Sequence, residues 1–235
     1  MKVEIWSDIA CPFCYIGKRK FENALEQFAH KDTVQVEWRS FQLDPEADNV
    51  PGQNIYEALA EKKGWTPEQA KALSGQVVNM AKEVGLDYHM DATVPANTYN
   101  AHRLAHLAAK HGLQDAAEER LFQAYFMEGK NIQDGDTLVQ LGKDIGLTEE
   151  AVRAMLDSDA FQGDVRRDIA EAQQIGVRGV PFFVIDRKYA VSGAQPSELF
   201  LQALQTARTE WEKANHPVEV MEAGGPACDI NGNCD

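Results

Sequence analysis

Apolar and polar positions alternate in two different rhythms along this chain. Val3, Glu4, Ile5 and Trp6 form a short alternating run, which predicts a strand. A turn and the segment Cys11-Pro12-Phe13-Cys14 follow, and the rhythm then lengthens. Ile16, Lys20, Ala24 and Phe28 recur at helical spacing, with Phe21 and Leu25 widening the apolar face. After a polar break at Lys31-Asp32, Val34, Val36 and Trp38 alternate with Gln35, Glu37 and Arg39, a second strand. A strand, a helix and a strand at this spacing predict a parallel, right-handed unit. Asp44-Pro45 and Val50-Pro51-Gly52 end it.

From Asn54 to about Ser158 no strand rhythm appears and helical signals take over. Thr66-Pro67-Glu68-Gln69 reads as a capping box with proline at the first helical position. Leu104, Leu107 and Ala108 form one stripe, and Ala117, Leu121, Ala124 and Tyr125 the next. Thr148-Glu149-Glu150 opens a helix that continues through Val152, Met155 and Leu156. The block predicts five or six helices around a small core of their own. A further helix runs from about Phe161 to Ile175 and closes at Gly176. Pro181 then leads a buried apolar run, Phe182 to Ile185. Asp186-Arg187-Lys188 turns, and Tyr189 to Val191 returns as an antiparallel partner. Gln195-Pro196-Ser197-Glu198 starts a last helix carrying Leu199, Phe200, Ala203, Leu204 and Ala207. Beyond Asn215 the chain is rich in Pro and Gly and reads as a mobile arm ending in Cys228 and Cys234. There is no internal repeat.

Charge narrows the partners. A net charge of −14 argues against nucleic acid and against anionic membrane surfaces. No apolar run approaches the roughly 20 residues that span a bilayer. The first strand begins at residue 2 or 3 and leaves no room for a signal segment, so the expected location is the cytosol. In that compartment four cysteines point to chemistry or metal binding, not to a disulfide scaffold.

Two cysteines three apart, opening a helix that follows a strand, describe a dithiol for disulfide exchange. The helix N-terminus leaves backbone N–H groups unpaired and carries partial positive charge, so a thiolate there is stabilised. Cys11, at the outer end, is the expected exposed nucleophile. Cys14, one turn inward, is the expected buried resolving thiol. Trp6 and Phe13 flank Cys11, either as an apolar rim or as core cover. Two other readings stand beside this one. All four cysteines could bind zinc, although the five residues between Cys228 and Cys234 exceed the usual knuckle, or the thiols could be inert packing. His102 and His106 share a helix face at a spacing that suits metal, but no third ligand is evident. The loop Cys228 to Cys234 can turn back through Asn231-Gly232, and it invites exchange with Cys11 and Cys14.

The segments Ser7 to Gly17, Arg39 to Pro45, Asn97 to Leu104 and Gly176 to Pro181 closely resemble the FrnE-like branch of the DsbA family. The resemblance implies an α/β thioredoxin fold with a large all-helical insertion. The thioredoxin-like part would be residues 1–53 and 161–215, the insertion 54–160, and a cysteine-bearing tail 216–235. It implies protein disulfide oxidoreductase or isomerase activity, with Cys11 attacking and Cys14 resolving. Pro181 matches a cis-proline facing the dithiol, which would turn the Val180 backbone toward an extended client. Asn97 and His102 would lie near the dithiol, with a helix cap at Asn97 and a hydrogen-bonded core histidine at His102 as the other reading, and Phe13 would meet substrate. No organic cofactor or metal is required. Client proteins with thiols or disulfides are the expected partners, with glutathione or a thioredoxin-like reductant for recycling. The alternative is a glutathione-dependent isomerase or transferase, of the hydroxychromene carboxylate isomerase or kappa-class type. Those proteins carry serine where this chain has Cys11. A zinc-holding or chaperone-like binding domain is the third reading.

Overall fold

A computed structural model describes residues 1–214; Cys228, Cys234 and the rest of the expected tail lie outside the described residues. The chain runs β1 (Lys2–Ser7), α1 (Pro12–Gln27), β2 (Gln35–Ser40), then α2 (Ile55–Lys63), α3 (Pro67–Lys82), α4 (Tyr99–Lys110), α5 (Gln114–Phe126), α6 (Gly135–Asp144) and α7 (Glu149–Leu156). It closes with α8 (Gln162–Gln174), β3 (Phe182–Ile185), β4 (Tyr189–Ser192) and α9 (Ser197–Ala214). The strands form one sheet in the order β2-β1-β3-β4. β1 and β2 are parallel, with Ile5 opposite Trp38, while β3 is antiparallel to both β1 and β4. This is a thioredoxin fold with helices inserted after the first βαβ unit.

Strand periodicity explains the layering. Val3 and Ile5 face one helical layer, where Phe21 of α1, Phe183 of β3 and Phe200 of α9 meet in tilted and edge-to-face contacts at centroid distances of 4.6–5.8 Å. Trp6 and Val184 face the other side, against Ala172 of α8. Glu4 is buried and is held by Arg39 and Arg187. Those two guanidiniums outweigh the burial that opposes ionisation and hold its carboxyl below the usual range.

Asn54 and Thr66 each close a full capping box, so α2 and α3 start where the local sequence dictates. The expectation of a private core for the helical block is corrected by the packing. One continuous core joins β1 and α1 to α4 through α7. Tyr15 of α1 stacks on Phe122 of α5 at 5.0 Å, and the Trp38 indole N–H donates to Asp115 at 3.0 Å. Along the outer edge of β2, side chains take the backbone groups. Gln114 accepts from the Trp38 N–H (3.1 Å) and donates to its carbonyl (2.9 Å), and Asp168 accepts from the Ser40 N–H (3.0 Å).

Candidate active site

Cys11 is the N-cap of α1, in extended conformation, and Pro12 takes the first helical position. The Cys11 N–H donates to Asp8 O (3.0 Å), and the Cys14 N–H donates to Cys11 O (3.0 Å). Both cysteines are free thiols. Cys14 is fully buried. Burial, reinforced by the neighbouring Cys11 sulfur, pushes its thiol well above the ordinary value, against smaller opposing pulls from the Ser7 hydroxyl and the Asp8 backbone N–H. The Cys11 thiol donates to Val180 O at 3.5 Å, and the Val180–Pro181 peptide bond is cis. α1 passes this loop closely only because residue 17 is glycine. A Cβ there would stand 2.9 Å from Pro181 Cγ.

The expectation of an exposed Cys11 is corrected: the residue is 3% exposed. It reaches space through a cavity of about 610 Å³, lined by Phe13, Leu43, Leu59, Trp65, Val77 and Met80 among others. The cause is the helical insertion. Side chains of α2 and α3 wall the mouth of α1, and Tyr88, beyond α3, donates its hydroxyl to Pro12 O at 2.8 Å. The sulfur is therefore recessed at the floor of an apolar chamber.

The remaining expected residues divide. Phe13 lines the cavity and is 38% exposed. Trp6 forms no rim; it is fully buried on the α8 side, donating its indole N–H to Asp168 O at 3.0 Å. Asn97 does not line the Cys11 cavity. Its side chain donates to Pro45 O (2.8 Å) and Ala47 O (3.2 Å) and accepts from the Tyr99 N–H (2.9 Å), pinning the loop after β2 to the start of α4. His102 is buried behind the cavity, its Nε2 3.4 Å from Asp8 Oδ1. His106 turns to other partners, Asp168 (3.1 Å) and Ser40 (3.0 Å), so the two histidines serve different carboxylates. Among the described residues, no three His, Cys, Asp or Glu side chains gather as a metal site.

Sequence reasoning passed over Asp8, Tyr88 and Glu118. Asp8 lines the cavity, accepts from the Leu43 N–H at 2.7 Å and faces His102. Burial opposes charge on His102, but Asp8, Glu118 and the Phe41 carbonyl outweigh it and raise its pKa. Glu118 of α5 is fully buried, and burial pushes its carboxyl up to about 7. Asp8 sits inside the quoted Ser7–Gly17 motif and could have been flagged; nothing local marks a glutamate on α5 as buried.

Comparison with known proteins agrees with this geometry. Residues 2–205 match the DSBA-like thioredoxin domain. The chain is 28% identical over 204 residues to the uncharacterized protein YwbO of Bacillus subtilis, covering 86% of this chain and 94% of that one. The crystal structure of the probable DsbA oxidoreductase SCO1869 from Streptomyces coelicolor superposes with a TM-score of 0.85 at 41% identity, covering 100% of this chain and 98% of that one. The cytosolic disulfide reductase DsbM from Pseudomonas aeruginosa, solved with GSH, shares the fold alone: TM-score 0.59, 17% identity, 91% and 98% coverage. With its strand–CxxC–helix motif, its sheet order and a match over most of its length, the chain belongs to the DSBA-like thioredoxin domain family.

Proposed function

We propose that this chain is a cytosolic protein thiol–disulfide oxidoreductase or isomerase working through Cys11 and Cys14. One observation carries the reading: the Cys11 sulfur lies 3.5 Å from the Val180 carbonyl, beside cis Pro181, with Cys14 buried one turn deeper. Cys11 thiolate attacks a client disulfide, forms a mixed disulfide and expels one client thiolate. Cys14 then attacks Cys11, closes the internal disulfide and releases the second client thiolate; oxidation of a client runs the same steps in reverse. Val180 offers backbone groups to an extended client segment, and Phe13 offers it an apolar surface. Electrons pass between sulfurs, so no organic cofactor is needed. The cytosolic setting is supported by the likeness in fold to the cytosolic disulfide reductase DsbM. The solved DsbM complex supports glutathione as a recycling thiol, beside a thioredoxin-like dithiol. Cys228 and Cys234, outside the described residues, are a second thiol pair that trades disulfides with Cys11 and Cys14.

Reduction of insulin disulfides tests the reading. Cys11→Ser should abolish it, and Cys14→Ser should trap Cys11 as a mixed disulfide visible by mass. Trapping Cys11 with Cys228 or Cys234 in that variant supports this exchange; adducts with outside thiols alone refute it. The apolar cavity favours a second reading, since about 610 Å³ suits a small aromatic molecule conjugated with glutathione. Isomerase or transferase activity surviving Cys11→Ser would establish that alternative.

A further inference from the structure

Cys11 is 3% exposed, so a sulfur that exchanges with it must enter the chamber above it. A cystine in a folded client brings backbone on both sides of each sulfur. A sulfur at the end of a slender chain does not. The chamber, about 610 Å³, has the size of a small-molecule site. Its walls are apolar from an exposed rim at Phe13, Trp65 and Met80 to a buried interior at Ile55, Met90 and Phe126. The stem that fits is therefore hydrocarbon, since an amide or hydroxyl along it would lose water without gaining a partner.

Charge says what the other end of the stem carries. Four charged residues line the chamber: Asp8, Asp44, Lys62 and Lys63. Asp8 is buried and committed, accepting from the Leu43 N–H at 2.7 Å and facing His102 at 3.4 Å. Lys62 pairs with Asp44 at 2.6 Å. Lys63 is exposed and has no ion pair among the described residues. One cation is thus left over at the rim, on a chain whose net charge is −14, and it favours a carboxylate there.

Resting on the dithiol chemistry above, we propose that the chamber is a binding site for a lipoate-type ligand, with a dithiolane at one end, a saturated chain, and a carboxylate at the other end. The ligand sulfurs meet Cys11 at the floor, the chain fills the apolar passage, and the carboxylate meets Lys63 at the rim. A ring holds both ligand sulfurs on one stem, so no second fragment has to leave the chamber midway. The step balances. One thiolate of the open, dithiol form attacks Cys11 of the Cys11–Cys14 disulfide, and Cys14 leaves with the electron pair of that bond. The second ligand thiolate attacks the ligand sulfur joined to Cys11, closes the dithiolane and expels Cys11 with its pair. Two electrons and two protons pass from ligand to cysteines, and the reduced chain runs the steps backward.

The test mixes the oxidised full chain with dihydrolipoate and follows the near-ultraviolet band of the dithiolane as it forms. The rate should saturate with dihydrolipoate. The homologue two methylenes shorter should need about tenfold more ligand for half-saturation. Dihydrolipoamide, which lacks the charge, should need about threefold more. In Lys63→Ala the acid and the amide should become equal. A rate that climbs with dihydrolipoate without saturating overturns the proposal. So does a shorter homologue or an amide that matches dihydrolipoate in the wild type, or an acid–amide difference that persists in folded Lys63→Ala. Insulin reduction without saturable exchange refutes this site and leaves the protein-client reading standing. Saturable exchange without insulin reduction does the reverse.

Discussion

Replacing Gly17 by alanine tests whether the close approach of α1 to Pro181 holds the site in register. The added Cβ would stand 2.9 Å from Pro181 Cγ, 3.5 Å from Pro181 Cβ and 3.6 Å from Ala194 Cα. Carbon atoms settle at roughly 3.5–4.0 Å, so the proline ring must retreat by at least about 0.6 Å. Overpacking of this kind costs about 1–3 kcal/mol, while alanine in place of glycine inside a helix returns about 1 kcal/mol. The net loss is at most about 2 kcal/mol, a fall in Tm of several degrees in a chain of this size. The functional effect should be larger. Val180 moves with the ring, its carbonyl leaves the Cys11 sulfur, and a misplacement of this order slows exchange roughly ten- to hundredfold. Insulin reduction and a thermal melt on the same sample read both quantities. A Gly17→Ala protein with a raised Tm and a wild-type exchange rate would refute the reasoning.

Gly75, inside α3 with nothing within 4 Å of its notional Cβ, is the matched control: Gly75→Ala should stabilise by about 0.5–1 kcal/mol in a urea titration and leave exchange untouched. Asp168→Asn removes the charge that holds Arg39 (3.0 Å) and His106 (3.1 Å), and should cost about 3 kcal/mol by denaturant unfolding. Burial opposes ionisation of Asp168, but His106, the Ser40 N–H and Arg39 together lower its pKa. Its stabilisation is therefore complete above the unfolded carboxyl range near pH 4 and is lost as pH falls through the lower folded value, which an acid titration of stability in wild type and variant will show. Glu118 has the opposite sign. Its pKa is raised from 4.5 to about 7, so its contribution is intact below pH 4.5 and is lost as pH rises through 7. Glu118→Gln should gain on the wild type between pH 5 and pH 8, by up to roughly 3 kcal/mol, in paired melts at the two pH values.

Much of the fold was legible because its signals are local. The Thr66 capping box, the alternation of Val3 to Trp6 and the stripe from Ile16 to Phe28 each name an element from its own residues. Their partners were not legible. Periodicity puts Leu121 on an apolar face, but it does not show that its neighbour Phe122 stacks on Tyr15 across more than a hundred residues. The same blindness to distant packing left Cys11 exposed on paper, since the walls from α2 and α3 arrive from elsewhere in the chain. Nearness in sequence or motif to the dithiol does not decide where Trp6 and Asn97 go. Strand alternation sends Trp6 to the far face, and hydrogen bonds to Pro45 and Ala47 occupy Asn97.

The side chains lying along β2 have a consequence for solubility. An outermost strand with open N–H and C=O groups is a template on which a foreign backbone can nucleate. Gln114 imitates a neighbouring strand at Trp38, and Asp168 takes the N–H at Ser40, so that margin is covered at those two positions by the molecule's own amide and carboxylate. Leucine in place of Gln114 would reopen it, and the protein would then become prone to growing fibres from that rim.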